Sequence, residues 1–333
     1  MRLSMKMDLF SLLRAFLYLL FGFLLGLMVS WGMNCLGSAS ATCGSNTVYV
    51  THENKLLVQS LRRDMMILDP LYAGVVTSGD FLRTRAHAVN KTWGGMIASN
   101  LEFYVGEGQG MESSLPLVRL PGIDDTYPPQ KKVYAMYKYM YDNYIDRYHW
   151  FLRADDDLYV RIHELKDFLS KLDSSQPLYI GSPGKGRKED LKRLKLRPSD
   201  VFCMGGPGMV LSRALLRKLG PHLQECLTNV VVSYNEDVEV GRCINRRLGI
   251  YCTKSRKMTE LFFHDYSNGK DFFSMTGTLR KLNRRSLLRL NKVITFHPLK
   301  QTKKMYSIHE HFVKLHLERL RAQISKLESS INV

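Results

Sequence analysis

The amino-acid sequence predicts an α/β domain with a mixed, mostly parallel sheet flanked by helices, behind one N-terminal transmembrane helix. Three observations support this prediction: a charge-free apolar run near the N-terminus, short apolar runs that alternate with helical patterns, and acidic motifs that follow apolar runs. The chain has 333 residues, of which 45% are hydrophobic and 24% are charged. This composition supports a sizeable core and excludes a wholly disordered or low-complexity chain.

The charge-free apolar run covers residues 15–33, close to the roughly 20 residues that cross a bilayer as a helix. Basic residues precede the run, whereas residues 34–54 contain no Lys or Arg. The positive-inside rule therefore predicts a cytosolic tail over residues 1–14, a signal anchor over 15–33 and a lumenal remainder. A cleaved signal peptide is the alternative, because residues 39–41 (Ala-Ser-Ala) resemble a cleavage site.

The chain is strongly basic, with 48 Lys and Arg against 31 Asp and Glu. This excess favours an acidic partner, such as a nucleotide phosphate, an anionic polysaccharide, a membrane surface or nucleic acid. Nucleic acid is not expected, because a lumenal domain does not meet it and no nucleic-acid-binding motif appears in the sequence. Residues 185–197, with seven Lys or Arg, and residues 280–292, with six, are candidates to guide a polyanionic glycan; a solvated surface is the alternative.

The six cysteines fit an oxidising compartment. Disulfides are expected among Cys203, Cys226, Cys243 and Cys252, but the sequence leaves three pairings of these four open. Asn90 begins the sequence Asn-Lys-Thr, a glycosylation sequon that is consistent with a lumenal domain.

Residues 34–68 are polar and predict a stem, and a folded domain is predicted over residues 69–305. Within this domain, strand and helix patterns alternate as in a largely parallel sheet. In chain order these patterns cover residues 71–77, 81–93, 101–105, 115–120, 130–145, 148–154, 162–172 and 178–181. Residues 306–333 predict an amphipathic helix that either packs on its own domain or pairs with another subunit.

Three adjacent carboxylates, Asp155, Asp156 and Asp157, directly follow a predicted apolar strand. In an extended chain the side chains of Asp155 and Asp157 point the same way. A hard divalent cation would offset their repulsion and bridge to phosphate oxygens. A solvated acidic turn is the alternative.

A second acidic pair, Glu236 and Asp237, opens a predicted helix, which suits either a general base or an ordinary helix cap. Three of the four residues 205–208 are glycines, which allow the backbone to approach a ligand closely. A tight structural turn, called the glycine turn below, needs the same residues. Three cations, Arg85, Lys131 and Lys132, are candidate diphosphate contacts, with ordinary surface positions as the alternative.

Taken together, these motifs resemble the β1,3-glycosyltransferase family that includes the fringe proteins. The resemblance rests on their order. It begins with residues 85–94 (RAHAVNKTWG), continues with the Asp triplet and the glycine turn at residues 205–208, and ends with Glu-Asp-Val-x-x-Gly at residues 236–241. Asn90 stands where this family usually has a second arginine. Residues 122–132 (GIDDTYPPQKK) and 202–208 (FCMGGPG) are most similar to the N-terminal half of the chondroitin sulfate synthases.

The resemblance implies a GT-A-type nucleotide-sugar transferase domain in a Golgi type II membrane protein. It implies UDP-glucuronate as donor and the N-acetylgalactosamine end of growing chondroitin as acceptor. Mn²⁺ or Mg²⁺ would be held by Asp155, Asp157 and His297, with His264 competing for the histidine position. In an inverting displacement, Asp237 would be the general base and Glu236 its substitute. The implied donor-binding residues are Arg85, Asp125, Lys131, Lys132, Arg153, Asp156, Gly205 and Gly206.

Two other functions stay open at the level of sequence. The chondroitin synthases continue into a second transferase module, which is not expected here because this chain stops at Val333. A non-catalytic partner that assists another synthase, as a homo- or hetero-oligomer, is one alternative. A β1,3-galactosyl-, N-acetylglucosaminyl- or N-acetylgalactosaminyltransferase of the same family is the other. The retained Asp triplet and Glu-Asp pair favour an enzyme.

Overall fold

The structure is a computed structural model that describes residues 71–108, 113–185, 194–197, 200–230, 233, 235–253 and 255–331. The predicted cytosolic tail, signal anchor and stem lie outside these residues. Within the described part of the chain, every helix is too short or too polar to cross a membrane.

Eleven strands are found in the described residues. They are β1 (Leu71–Val76), β2 (Leu101–Gly106), β3 (Leu117–Leu120), β4 (Trp150–Asp155), β5 (Tyr159–Val160), β6 (Tyr179–Gly181), β7 (Pro183–Gly184), β8 (Phe202–Cys203), β9 (Met209–Ser212), β10 (Phe262–His264) and β11 (Thr295–His297).

Nine α-helices accompany these strands in the same part of the chain. They are α1 (His87–Lys91), α2 (Gln130–Tyr144), α3 (Ile162–Leu169), α4 (Arg213–Leu219), α5 (Leu223–Glu225), α6 (Glu236–Leu248), α7 (Arg256–Leu261), α8 (Arg284–Lys292) and α9 (Thr302–Ile331).

The central sheet has six strands in the order β3-β2-β1-β4-β9-β6. The pairs β3–β2, β2–β1 and β1–β4 are parallel, whereas β9 runs antiparallel to both β4 and β6. The predicted mixed, mostly parallel sheet is therefore confirmed. A second sheet has the order β10-β11-β5, in which β10 and β11 are parallel, and β7 and β8 form a short antiparallel pair.

Apolar side chains cover both faces of the central sheet. All six residues of β1 are buried, which explains why its sequence is a continuous apolar run rather than an alternating one. On one face, α2 packs through Val133, Met136 and Met140. On the other face, Trp93 and the aromatic residues of β10, β11 and α9 complete the core. The carboxyl ends of β1 and β4 therefore lie at the edge of a well-packed layer.

The predicted helix over residues 81–93 is not a single helix. The chain forms a 3₁₀ turn at Gly79–Phe81, a π-helical turn at Leu82–Ala86 and then α1, followed by a 3₁₀ segment at Trp93–Asn100. Thr92 interrupts the helical path with φ −115° and ψ −116°, because its hydroxyl donates back to the carbonyls of Ala88 and Val89. The apolar spacing was correct, but the local hydrogen bonds divide the segment.

The predicted disulfides are present, and the fold decides how they pair. Cys203 on β8 bonds to Cys252, and Cys226 bonds to Cys243 in the middle of α6. Both bridges connect segments around the strand and helix that flank the glycine turn. They therefore brace one wall of the site described below.

The C-terminal helix α9 has two apolar stripes. Met305, Ile308 and Phe312 are buried against the core, so the first part of the helix packs on its own domain. A second stripe is exposed, with Val313, Leu317, Leu320 and Ile324 showing 38%, 46%, 40% and 54% of their surface.

Candidate active site

The Asp triplet lies at the carboxyl end of β4, as the sequence predicts. Asp155 is the last residue of β4 and pairs with Val76 of β1. A tight turn follows, in which the Leu158 N–H donates to the Asp155 carbonyl at 3.1 Å. Ligands bind at this edge of open α/β sheets, outside the carboxyl ends of the strands.

Each aspartate of the triplet has a different partner. Asp155 accepts from Arg153 at 2.9 Å, and Asp157 lies 3.1 Å from Nε2 of His297. Asp156 is buried, accepts a hydrogen bond from the Thr77 hydroxyl at 2.7 Å and has a long contact of 3.5 Å with Arg85. The three adjacent carboxylates are thus directed to three parts of the site.

Asp155, Asp157 and His297 form a candidate metal site. One ligand atom from each of the three lies within 4.8 Å of the others. His297 comes from the carboxyl end of β11, whose parallel neighbour β10 ends at His264. Two carboxylate oxygens and an imidazole nitrogen are a donor set that suits a divalent cation such as Mn²⁺, so the residues present fit the implied metal.

His264 does not replace His297 in this cluster. Its Nδ1 lies 3.1 Å from Nδ1 of His297, so one of these two nitrogens donates to the other. The second nitrogen of His297 faces Asp157. His264 therefore orients the imidazole that faces the carboxylates, in the manner of the outer partners that orient metal-bound histidines.

The environments of Asp156 and Asp157 shift their pKa values in opposite directions. Burial raises the pKa of Asp156 to about 6, assisted by repulsion from its two neighbours and opposed by the Thr77 hydrogen bond. Burial also favours the neutral form of Asp157, but the hydrogen bond and charge of His297 outweigh it and lower the pKa of that carboxyl. Asp157 is accordingly the carboxylate more readily ionised.

Arg153 connects the Asp triplet to the second acidic pair. Its side chain is 1% exposed and contacts Asp155 at 2.9 Å and Glu236 at 2.5 Å, and it also donates to the Gly205 carbonyl at 3.0 Å. Burial opposes its charge, but the two carboxylates keep its pKa above the usual value. Arg153 therefore joins the two halves of the site through hydrogen bonds and ion pairs within the protein.

Glu236 and Asp237 begin α6 and face the glycine turn. The Asp237 carboxylate accepts from the Gly205 N–H at 3.0 Å and from the Val238 N–H at 2.8 Å. Burial raises the pKa of Glu236 to about 7, with repulsion from Asp237 and Asp155 acting against attraction by Arg153. Burial also raises the pKa of Asp237. Such carboxyl groups exchange a proton closer to neutral pH than ordinary ones do.

The glycine turn between β8 and β9 touches both halves of the site. A Cβ atom added at Gly205 would lie 2.6 Å from a carboxylate oxygen of Glu236. A Cβ atom added at Gly206 would overlap the ring of His297. Both positions therefore require glycine because functional side chains occupy the space, which agrees with the close approach predicted from the sequence.

Asp125 and Lys132 form a second polar cluster at the end of β1. Lys132 is 3% exposed, pairs with Asp125 and donates to the Thr77 carbonyl at 2.7 Å. Asp125 also accepts from the N–H groups of Gly79 and Gly106 at 2.8 and 2.7 Å. Burial opposes its ionisation, but these bonds and Lys132 lower its pKa. The two residues hold the loops that carry Thr77 and Arg85.

Arg85 and Lys131 differ in position although both are exposed enough to meet a ligand. The Arg85 guanidinium lies 3.9 Å over the ring of Phe81 and reaches toward Asp156, so it lies at the site. Lys131 lines a surface groove with Tyr134 and Lys138 instead. The structure therefore brings Arg85 to the carboxylates and leaves Lys131 outside the cluster.

Two exposed tyrosines beside the site, Tyr127 and Tyr266, were not among the site residues predicted from the sequence. Tyr127 is 90% exposed as a residue, yet partial loss of solvent and the charges of Glu236, Asp155 and Asp237 raise the pKa of its hydroxyl, which places it beside the acidic groups. Tyr266 is 72% exposed, and its ring lies 4.5 Å from that of His264. An aromatic residue in a polar loop that follows a strand was the available signal.

Comparisons with known proteins find relatives among enzymes of chondroitin synthesis. The family model described as "Chondroitin N-acetylgalactosaminyltransferase" matches residues 222–333. The chain is 40% identical over 265 residues to mouse (Mus musculus) chondroitin sulfate synthase 3, which covers 78% of this chain and 29% of that protein. It is 25% identical to the human (Homo sapiens) chondroitin sulfate glucuronyltransferase, over 84% of this chain and 33% of that protein.

A more distant match is the mouse β1,3-N-acetylglucosaminyltransferase lunatic fringe, 27% identical over 57% of this chain and 53% of that protein. With the sheet and the acidic site, these matches relate the chain to the glycosyltransferases. Within that class, the chain is related to the chondroitin sulfate synthases and, more distantly, to the fringe-type β1,3-glycosyltransferases. It spans only about a third of the length of the chondroitin-synthase relatives.

Proposed function

We propose that this chain transfers glucuronate from UDP-glucuronate, in β1,3 linkage, to the terminal N-acetylgalactosamine of growing chondroitin. One observation carries the proposal. A set of ligands that fits a divalent cation, Asp155, Asp157 and His297, is joined through buried Arg153 to the carboxyl pair Glu236 and Asp237. A nucleotide-sugar transferase needs both parts, one to hold the diphosphate and one to accept a proton.

Asp155, Asp157 and His297 would hold Mn²⁺ or Mg²⁺, and the bound cation supplies positive charge opposite the donor diphosphate. Asp237 accepts the proton of the acceptor 3-hydroxyl as that oxygen attacks the anomeric carbon. The bond from the anomeric carbon to UDP breaks in the same displacement, so an α-linked donor gives a β linkage. Glu236 is the substitute base, since its oxygen lies on the same side of the glycine turn.

Glucuronate as donor is supported by the name of the human glucuronyltransferase relative and by the position of Arg85. Among the described residues, the polar contact of Arg85 is a long one of 3.5 Å with Asp156, and its guanidinium also lies over the Phe81 ring. A planar guanidinium binds a carboxylate through two parallel hydrogen bonds. Arg85 is therefore placed to bind the donor diphosphate or the glucuronate carboxylate, in a domain of the GT-A type.

N-acetylgalactosaminyl transfer is the second candidate, because the family model that matches residues 222–333 carries that description. The same site chemistry serves both reactions, since only the sugar on UDP changes. A non-catalytic role beside another synthase is the third candidate, and the exposed stripe of α9 is available for such a partner.

We also propose that the protein lies in the Golgi membrane as a single-pass type II protein with this domain in the lumen.

A donor panel tests the proposal. Purified full-length chain would receive Mn²⁺, one UDP-sugar at a time, and a chondroitin oligosaccharide that ends either in N-acetylgalactosamine or in glucuronate, with product detected by mass spectrometry. Transfer from UDP-glucuronate supports the proposal. Transfer only from UDP-N-acetylgalactosamine to a glucuronate-ended acceptor supports the second candidate, and transfer from UDP-galactose alone contradicts the chondroitin assignment.

A further inference from the structure

A concave basic surface lies between α7 and α8, apart from the candidate active site. Cations project from both helices, and Thr259, Glu260 and Leu288 lie between them. The cations of this basic groove are Arg256 from α7 and Arg284, Arg285, Arg289 and Lys292 from α8. The sequence marked the α8 segment as basic, but only the fold adds Arg256 and closes the surface into a groove.

Within the described residues, none of the five groove cations forms an ion pair with a carboxylate. Other surface arginines of the same domain behave differently: Arg217 pairs with Asp146, and Arg197 pairs with Asp200. Five cations and one carboxylate, Glu260, line the groove, so its net charge is positive. The cations repel each other, and a bound anion reduces that repulsion. The groove is therefore suited to a negatively charged ligand.

The groove cations stand on well-fixed elements. The guanidinium of Arg289 lies 4.2 Å over the ring of Phe263, which is only 3% exposed. Asn283 caps α8 by accepting from the Ser286 N–H at 2.8 Å, and Ser255 caps α7 by accepting from the Lys257 N–H at 3.2 Å. Because both helices are anchored, less freedom is lost when a ligand binds.

The groove is connected to the active site by two short strands. α7 leads directly into β10, which ends at His264, and α8 leads into β11, which ends at His297. At about 3.3 Å per residue, the three residues of β10 separate α7 from His264 by roughly 10 Å, and the five residues after Lys292 separate α8 from His297 by up to roughly 17 Å. A single sugar is shorter than this separation, whereas a glycan of several sugars is long enough to span it.

We infer that the basic groove binds the anionic body of the growing acceptor, a linear polyuronate glycan, while its end occupies the active site. This inference rests on the proposed function. From Arg284 to Lys292 the cations extend for about 12 Å along α8, and Arg256 faces them from α7, so an elongated ligand is gripped from two sides. A flat membrane surface would meet only one wall. Four of the five cations are arginines, which match carboxylates in a bidentate manner.

The test compares two triple variants of the full-length chain with the same change in charge. The groove variant carries Arg256→Gln, Arg285→Gln and Arg289→Gln. The control carries Lys218→Gln, Arg246→Gln and Lys257→Gln, three exposed cations that do not line the groove. Binding of unsulfated chondroitin polymer and of phosphatidylserine vesicles is measured without UDP-sugar, and transfer is measured with both a short oligosaccharide and the polymer. Circular dichroism melting confirms folding.

The groove variant should bind polymer roughly tenfold more weakly than the parent, as expected for three lost surface ion pairs. Its KM for polymer should rise by a similar factor, while its turnover of the short oligosaccharide stays unchanged. The control variant should bind and elongate polymer as the parent does. Equal losses in both variants, or no loss in the groove variant, would overturn the inference. So would selective loss of binding to phosphatidylserine vesicles with polymer binding intact, which would make the groove a membrane contact.

The proposed function fails separately. If the parent transfers no sugar to the short oligosaccharide, the activity assignment is wrong whatever the groove binds. If the parent transfers sugar and the groove variant handles polymer as the parent does, only the groove inference is wrong.

Discussion

Neighbouring residues of the Asp triplet differ because each meets a different element of the fold. Asp155 still belongs to β4 and meets Arg153, whereas Asp157 lies beyond the turn and meets His297. Asp156 points to the end of β1, where Thr77 binds it. Asp155 and Asp157 do lie near each other and His297, but a turn at residues 156–157, and not the extended chain that was predicted, brings them together.

Asp157→Ala and Asp237→Asn should separate metal binding from proton transfer. Loss of Asp157 removes one of the three candidate ligands, so Mn²⁺-dependent UDP affinity and turnover should both fall. Asp237→Asn keeps the size of the side chain and removes the base, so transfer should fall by roughly 10² to 10⁴ with UDP affinity little changed. Isothermal titration with UDP and initial rates of transfer measure the two effects.

The second variant also tests which carboxylate is the base. Transfer by Asp237→Asn within a few-fold of the parent would exclude Asp237 and direct attention to Glu236. If neither substitution nor removal of metal alters polymer formation in cells that lack the parent protein, the protein is a partner and not an enzyme.

The pH profile of transfer provides an independent assignment of the base. A base works only when ionised, and a raised pKa keeps it protonated at pH values where an ordinary carboxyl is already ionised. With Asp237 as base, the rate should fall on acidification at a pH above the usual aspartate range, and Glu236→Gln should retain most of the activity. A rate that falls near pH 7 and disappears in Glu236→Gln would assign the base to Glu236, whose pKa is about 7.

At the scale of elements, the turn between β8 and β9 connects the two halves of the site. Gly206→Ala places a methyl group against the His297 ring and should displace it. Metal affinity should then fall by about 10- to 100-fold, as it does when a group that orients a metal ligand is changed. Gly205→Ala is the matched control, because its methyl group meets Glu236 instead. It should lower the transfer rate more than the metal affinity.

Isothermal titration with Mn²⁺ and steady-state kinetics of transfer distinguish the two glycine variants. Neither glycine has a left-handed φ, so the effect of alanine is steric and not a backbone strain. If both variants lose metal affinity and transfer rate to the same extent, the turn acts as one structural unit. The prediction that each glycine contacts a different half of the site would then be wrong.

At the scale of the whole molecule, the disulfides tie the glycine turn and α6 into the domain. The bridges join residues 49 and 17 positions apart. The chain-entropy relation gives about 4 kcal/mol for the Cys203–Cys252 bridge and about 3 kcal/mol for the Cys226–Cys243 bridge at 25 °C. The double substitution Cys226→Ala and Cys243→Ala should therefore lower the free energy of unfolding by about 3 kcal/mol.

Urea unfolding of the parent and of this double variant measures that difference. Treatment of the parent with a reductant should destabilise it further, because both bridges are then lost. If the double variant unfolds at the same urea concentration as the parent, the bridge does not constrain the unfolded chain and the predicted stabilisation is wrong.

The sequence by itself determined the features that depend on neighbouring residues. Apolar runs predicted β1 and β4, because strands buried on both faces are mostly apolar. Arg153 interrupts the run in β4, and its charge is balanced by Asp155 and Glu236. The Asp triplet could be placed at the end of β4, since a run of carboxylates cannot continue a buried strand. The glycines of the turn and the carboxylates that open α6 were visible for the same local reason.

Only the tertiary structure decided which distant residues meet. His297 could not be separated from His264 as the partner of Asp157 until β10 and β11 were paired. The disulfide pairing, the burial of Lys132 against Asp125, and the addition of Arg256 to the basic groove likewise depend on how elements pack. Local patterns determine which element a residue belongs to, whereas contacts between elements follow from packing of the entire core, which no short stretch of sequence encodes.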